Sequence, residues 1–368
     1  MTTNLFLIFG VVFLTSLALV GTKNIHGRYS MDSTFGVQKI HTQDTPRIGG
    51  IAIAIGLLVA WLLASPPVRE LLGTMLLAGI PAFAFGLLED ITKSVSVRQR
   101  LLATMASGVL AWYLTGVAMR DTGLAPLDWL LQTTPLAVLF TAFAVGGVAN
   151  AMNIIDGFNG LAAGATTIML TAMGLIALSL GDAPLASVCF LIAVCALGFN
   201  CVNWPLGKLF LGDGGAYLLG FCVAWMAVLL PMRHVEIHAW TTLLVCAYPV
   251  LEVAFSVLRR RRRDGHHPGQ PDKVHLHHLV HRRVVCKLFP HLSAPLKNSL
   301  TSVFCWPMIA VSAVVAVVFA QNPPILATTL VGFAIAYAAV YSRLSQFRWC
   351  FSPATLQSAL LQNQTNPH

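Results

Sequence analysis

Eleven mostly apolar segments follow one another along the chain, and ten of them are 17 to 21 residues long. That is about the length an α-helix needs to cross the hydrocarbon core of a bilayer. They fall at 4–21, 48–64, 71–88, 101–119, 134–148, 161–180, 185–201, 216–232, 239–257, 299–319 and 325–342. The fifth is short at 15 residues, and ten spans is the alternative count. Backbone polar groups find no water in lipid, so repeated crossings are made as helices. Charged residues are 10% of 368, against about 25% in soluble proteins. The expected fold class is all-α: a polytopic integral membrane protein of about 11 transmembrane helices.

Lysine and arginine positions set the expected orientation. With the N-terminus outside and the C-terminus inside, 20 of the 23 fall in inside segments, leaving Arg69, Arg120 and Arg233 outside. The net charge of +9 then reads as topology, with no nucleic-acid partner. No positive charge precedes the first apolar segment and no clear cleavage site follows it, so it should persist as a helix. None of the eight cysteines lies in an outside loop and no CxxC spacing occurs, which argues against disulfides and thiolate metal sites. A single membrane domain is expected over 1–348, with a loose tail at 349–368. The inside loops at 22–47, 89–100, 149–160, 202–215 and 258–298 should carry the chemistry.

Four polar clusters sit at the inside ends of these segments. Asn150 to Asn159 reads NAMNIIDGFN, Glu89 to Lys93 reads EDITK, Phe210 to Gly215 reads FLGDGG, and His275 to His278 reads HLHH after five arginines at 259–263. Polar groups of this density at a bilayer edge are expensive unless they are functional. Each has an ordinary reading as well. Asp213 and Asp156 are placed to cap the following helices. Glu89 and Lys93 have the spacing of a helical ion pair, and the histidines suit a solvated loop. The arginine run fits attraction to anionic headgroups, and Lys39, His41 and Arg47 fit a basic juxtamembrane segment. Against the capping reading, Asn150, Asn153 and Asp156 recur every third residue and would share one helical face.

The ordered motifs QKIHTQDTPRIGG, LLEDITK, NAMNIIDGFNGLAAG, KLFLGDGGAYLLGF and PDKVHLHHL carry a resemblance over about Gly36 to Arg283. The chain resembles the polyprenyl-phosphate N-acetylhexosamine-1-phosphate transferases, glycosyltransferase family 4. That superfamily includes the bacterial GlcNAc-1-phosphate and MurNAc-pentapeptide phosphotransferases. The His-x-His-His form is similar to the branch that starts O-antigen, teichoic acid or exopolysaccharide synthesis. Two positions depart from the family: Glu89 stands where an aspartate is usual, and Asn159 where many members have a second aspartate.

The resemblance implies transfer of a sugar-1-phosphate from a UDP-N-acetylhexosamine to undecaprenyl phosphate at the inner face of the bacterial plasma membrane, releasing UMP. UDP-GlcNAc is the default donor, with a 6-deoxy sugar such as QuiNAc or FucNAc as the alternative. It implies Mg²⁺ or Mn²⁺ as cofactor, held by Asp213 and Asp156, an ion that takes only one or two carboxylates plus substrate phosphates. Asp90, Glu89, Asp156 and Asp213 are then the catalytic candidates. Lys93, Asn150, Asn153, Asn159, His275, His277, His278, Lys39 and Arg47 are the substrate-binding ones. A homodimer is compatible with this reading. A transporter would instead place ionisable groups near the midplane, yet the apolar segments carry almost none, Glu252 being the clearest exception. A di-iron oxidase would need further histidine groups.

Overall fold

The computed structural model describes residues 2–32, 44–261 and 274–346. Lys39, His41 and the tail at 349–368 lie outside them. The helices are α1 (Thr2–Gly21), α2 (Lys23–Ser30), α3 (Gly49–Leu63), α4 (Pro66–Thr92), α5 (Val97–Thr115), α6 (Ala125–Leu131), α7 (Thr134–Ile155) and α8 (Leu161–Ser179). They continue with α9 (Ala183–Asn203), α10 (Gly212–Arg233), α11 (Ala239–Val245), α12 (Ala247–Arg261), α13 (Leu276–Val280), α14 (Cys286–Leu288), α15 (Ala294–Val318) and α16 (Pro323–Ser345). A π-helical turn, His281–Val285, joins α13 to α14. Two-residue strands, β1 (Met31–Asp32) and β2 (Thr45–Pro46), form an antiparallel ribbon.

Every predicted apolar segment coincides with a helix or with the α11–α12 pair. Eight helices are long and apolar enough to cross a membrane, or nine when α11 and α12, bent by 80°, count as one span. The other two counterparts are α3, with 15 residues, and α5, whose first turn carries Arg98 and Arg100.

Helix α10 is the axis of the bundle. Its residues are buried from Gly212 through Met226, including the fully buried Phe221 and Trp225. A helix apolar all round has no solvent or lipid face to offer and belongs in the interior. It packs against α3, α4, α7 and α8. The outer helices α1 and α16 instead leave Phe6, Leu14, Val331 and Ile335 exposed. Small residues permit the closest crossings. A Cβ on Gly50 would lie 2.3 Å from the Gly215 nitrogen, so α3 and α10 meet backbone to backbone.

Helix ends at the site differ from the sequence expectation: α10 already begins at Gly212, inside the loop expected at 202–215, and two further ends shape the site. Helix α7 runs through Asn150 and Asn153 to Ile155, leaving only 156–160 as the loop where 149–160 was expected. The Asn150 amide returns a hydrogen bond to the Gly146 carbonyl (2.7 Å), so the polar residues extend the helix. Helix α4 stops at Thr92 because Lys93 adopts a left-handed conformation, φ 54°, with its N–H on the Glu89 carbonyl. The chain restarts at Ser96, whose capping box with Gln99 opens α5.

Candidate active site

The first turn of α10 leaves backbone N–H groups without helical partners. The buried Asp90, on the last turn of α4, satisfies two of them. Its Oδ1 accepts the Asp213 N–H at 2.8 Å and its Oδ2 the Gly214 N–H at 2.8 Å. Arg47, between β2 and α3, donates its Nε to the same carboxylate at 2.9 Å. Gly212 is obligatory at this junction. It has φ 74°, and a Cβ there would lie 2.0 Å from the Arg47 carbonyl and 2.6 Å from Asp90 Oδ2. Backbone bonds from Gly49 to the Phe210 carbonyl (2.9 Å) and from Phe210 to the Pro46 carbonyl (2.8 Å) knit the PRIGG segment to this turn.

So anchored, Asp213 presents its carboxylate to three other elements. Asn153 of α7 donates to Oδ1 at 3.0 Å, Arg47 Nη2 reaches Oδ1 at 3.3 Å, and Arg100 of α5 pairs with Oδ2. Tyr217, one turn along α10, donates its hydroxyl to the Asn153 side-chain oxygen at 3.3 Å. Asn150 holds Thr104 of α5 at 2.9 Å. Asp156 follows the last residue of α7 and is half-buried. Burial, then the charges of Asp213 and Asp90, push its carboxyl well above the usual carboxylate range, with Arg47 opposing.

The histidine motif closes the other side. His277 and His278 are buried and lie edge-on to Phe158, with ring centroids 5.7 and 5.5 Å away. A Cβ on Gly157 would lie 3.6 Å from His277 Nε2 and 3.8 Å from His278 Nε2, so both imidazoles border the Asp156–Gly157 loop. Burial, then His277 and His275, push His278 far below the usual imidazole range, so it is neutral. Arg259 of α12 donates to the Val274 carbonyl at 2.6 Å and to the Tyr341 hydroxyl, fixing the approach to α13 against α16. Arg259, the first of the arginine run, is therefore an internal clamp.

All four sequence clusters thus converge at one end of the bundle, although several members do other work. Glu89 accepts the Val95 N–H at 2.8 Å and supports the turn after α4. Lys93, turned off the helix, reaches the Met31 carbonyl at 3.2 Å, so the expected side-chain pair with Glu89 does not form. Asn159 is buried against α15, donating its backbone N–H to Asn298 Oδ1 (2.7 Å) and its side-chain amide to Ser299 (3.2 Å). Its side chain braces the 156–160 loop. Arg100 is the member that sequence reasoning passed over. It reads as one more inside charge, and its partner is 113 residues away.

The sequence model of glycosyl transferase family 4 matches residues 72–231, from α4 to α10. The undecaprenyl-phosphate alpha-N-acetylglucosaminyl 1-phosphate transferase of Salmonella typhi is 31% identical over 252 residues, 67% of this chain and 67% of that protein. The chain belongs to glycosyl transferase family 4. Proteins of the same name from Yersinia pestis and Escherichia coli K12 are 28% identical over 277 and 279 residues, each alignment covering 74% of this chain and 75% of the relative. With its long apolar helices, this family 4 member is a multi-pass membrane protein. The family match contains Asp90, Arg100, Asn153, Asp156 and Asp213, whereas Arg47 and the histidines join the site from flanking segments.

Proposed function

We propose that the protein transfers GlcNAc-1-phosphate from UDP-GlcNAc to undecaprenyl phosphate, releasing UMP, as the first step of a cell-envelope polysaccharide. The observation that carries this reading is the convergence of Asp90, Asp156, Asp213, Arg47, Arg100 and the histidines where apolar helices end. A relative aligned over two thirds of the chain is named undecaprenyl-phosphate alpha-N-acetylglucosaminyl 1-phosphate transferase. An acceptor whose tail lies in lipid and a donor that arrives from water meet at such an edge. With eleven spans and the N-terminus outside, that edge is the cytoplasmic face of the plasma membrane, where UDP-sugars are made.

An oxygen of the acceptor phosphate forms a bond to the sugar-bearing phosphorus of the donor. The bridging P–O bond breaks, and UMP leaves with its electron pair. Arg47 and Arg100 are placed to neutralise phosphate charge. Asn153 and Tyr217 orient the Asp213 carboxylate, and His277 and His278 contact the leaving phosphate. The acceptor is largely ionised near neutral pH, its second pKa being about 6, so Asp90 serves by ordering the first turn of α10.

Among the described residues no three His, Cys, Asp or Glu side chains form a closed metal cage. Asp156 and Asp213 nevertheless suit Mg²⁺ or Mn²⁺. Burial first, and then the charges of Asp213 and Asp90, disfavour the Asp156 carboxylate, which a bound cation would stabilise, and Mg²⁺ is commonly held by one or two carboxylates plus substrate phosphates. When bound there, the ion supplies charge neutralisation at the diphosphate.

A donor panel tests the function. Purified enzyme with undecaprenyl phosphate should release UMP fastest from UDP-GlcNAc, because a site that bonds a sugar hydroxyl rejects analogues lacking it. Preference for UDP-QuiNAc or UDP-FucNAc changes the sugar alone, while preference for the MurNAc-pentapeptide donor sinks the assignment of branch. A second test separates the acidic neighbours. Glu89→Gln keeps an acceptor for the Val95 N–H and should retain most transfer activity. Asp90→Asn turns an amide donor toward the first turn of α10; leaving a buried donor unsatisfied costs about 1–3 kcal/mol. A lower melting temperature should accompany its loss of turnover, and the reverse ranking of the two variants would overturn these roles.

A further inference from the structure

Glu252 is the one acidic residue within the ninth apolar segment, and it is 1% exposed. A carboxylate removed from water needs partners that repay its lost hydration. Here α13 supplies them. Glu252 Oε1 accepts the Leu276 N–H at 2.8 Å and faces His275 Nδ1 at 3.0 Å, while Oε2 lies 3.6 Å from His277 Nδ1. The rings of His275 and His277 are nearly parallel, 5° apart with centroids separated by 5.3 Å, as two imidazoles aimed at one acid would be. An ionised carboxylate only accepts hydrogen bonds, so the His275 proton resides on Nδ1. The opposite ring nitrogen of each histidine is directed away from the acid. For His277 that nitrogen is the Nε2 atom bordering Gly157.

The geometry points to Glu252 as a positioning residue. It acts through His275, whose tautomer it fixes by the Nδ1 hydrogen bond, and through His277, whose Nδ1 it faces at 3.6 Å so that Nε2 borders the Asp156–Gly157 loop. The inference rests on the proposed transfer reaction for its kinetic part alone. Histidines that work at a reacting centre are commonly held by a carboxylate on the other ring nitrogen, and losing that partner typically costs about 10–100-fold. The position of Glu252 adds a mechanical link. It lies in α12, which follows the 80° bend from α11, so the histidines are tied to that helix through one side chain.

The test uses the full-length protein in detergent or nanodiscs. ¹⁵N-histidine labelling reports which ring nitrogen carries the proton, with His275→Asn assigning the His275 resonance. The wild type should show His275 protonated on Nδ1. In Glu252→Gln, whose amide can donate, the resonance should move toward the Nε2-protonated form. The same variant should lose about 10–100-fold in kcat with KM for the UDP-sugar nearly unchanged, and Glu252→Asp should recover part of that loss. An unmoved tautomer in Glu252→Gln overturns the inference whether or not the enzyme is active. So does a wild-type kcat, or a loss of kcat that Glu252→Asp recovers no better than Glu252→Ala. A wild-type protein silent toward every UDP-sugar would instead count against the reaction and leave the tautomer measurement standing.

Discussion

Asp213→Asn should lower UMP release by about 10²–10³-fold, the scale found when one preorganised group at a charged transition state is removed. The substitution keeps the size of the side chain and one acceptor oxygen, so Asn153 retains its bond. What disappears is the charge that Arg47 and Arg100 meet from two different helix ends. Those guanidiniums would then be drawn to Asp90 and Asp156 and away from the position a substrate phosphate takes. The first turn of α10 is tied by its backbone N–H groups to Asp90, so the fold should survive. Steady-state UMP release beside a thermal melt separates the two effects. A variant that melts early and turns over normally when cold would show that this carboxylate is architectural. Asp156→Asn should fall in the same direction, with a smaller effect on melting, because no helix end hangs from its side chain.

Removal of divalent cations should abolish the reaction altogether. Three carboxylates, Asp90, Asp156 and Asp213, meet two guanidiniums, Arg47 and Arg100, before any substrate arrives. A donor diphosphate and an acceptor phosphate add several more negative charges in a place of reduced dielectric, where like charges are costly. Excess chelator should therefore bring UMP release to background, and Mg²⁺ or Mn²⁺ should restore it. Turnover that continues undiminished in chelator would mean that the arginines and histidines neutralise the phosphates unaided.

The helices were legible because lipid leaves a chain little choice: a polar backbone in hydrocarbon must bond to itself. The carboxylates were legible because each stands at a helix end, Asp156 and Asp213 beside glycines and Asp90 beside Glu89, where a charge needs a reason. The internal pairings were not. Arg100 carries the same local signature as Arg98, two residues before it; only the packing of α5 beside α10 turns one of them into a partner of Asp213. Asn159 reads like Asn150 and Asn153, but α7 has already ended at Ile155, and the 156–160 loop, turning into α8 at the left-handed Gly160, places that side chain against α15. The clean break after Thr92 was hidden as well. A left-handed lysine has no sequence signal of its own, and it removes Lys93 from the helical face that the four-residue spacing suggested.

The two halves of the site are also separated in the order of synthesis. The carboxylates and their arginines lie on residues 47 to 213, whereas His275 to His278 come last, held by α12 and by the hydroxyl of Tyr341 on Arg259. A nascent chain emerging from the ribosome can insert its first eight apolar helices and assemble the complete acidic cradle. It still lacks the imidazoles until the bent α11–α12 pair has entered the bilayer. Chains truncated before that point should accumulate as inserted, stable and inactive protein. Supplying the segment from α11 onward as a separate polypeptide should restore turnover, because its contacts with α7, α8 and α10 are made between side chains already in place.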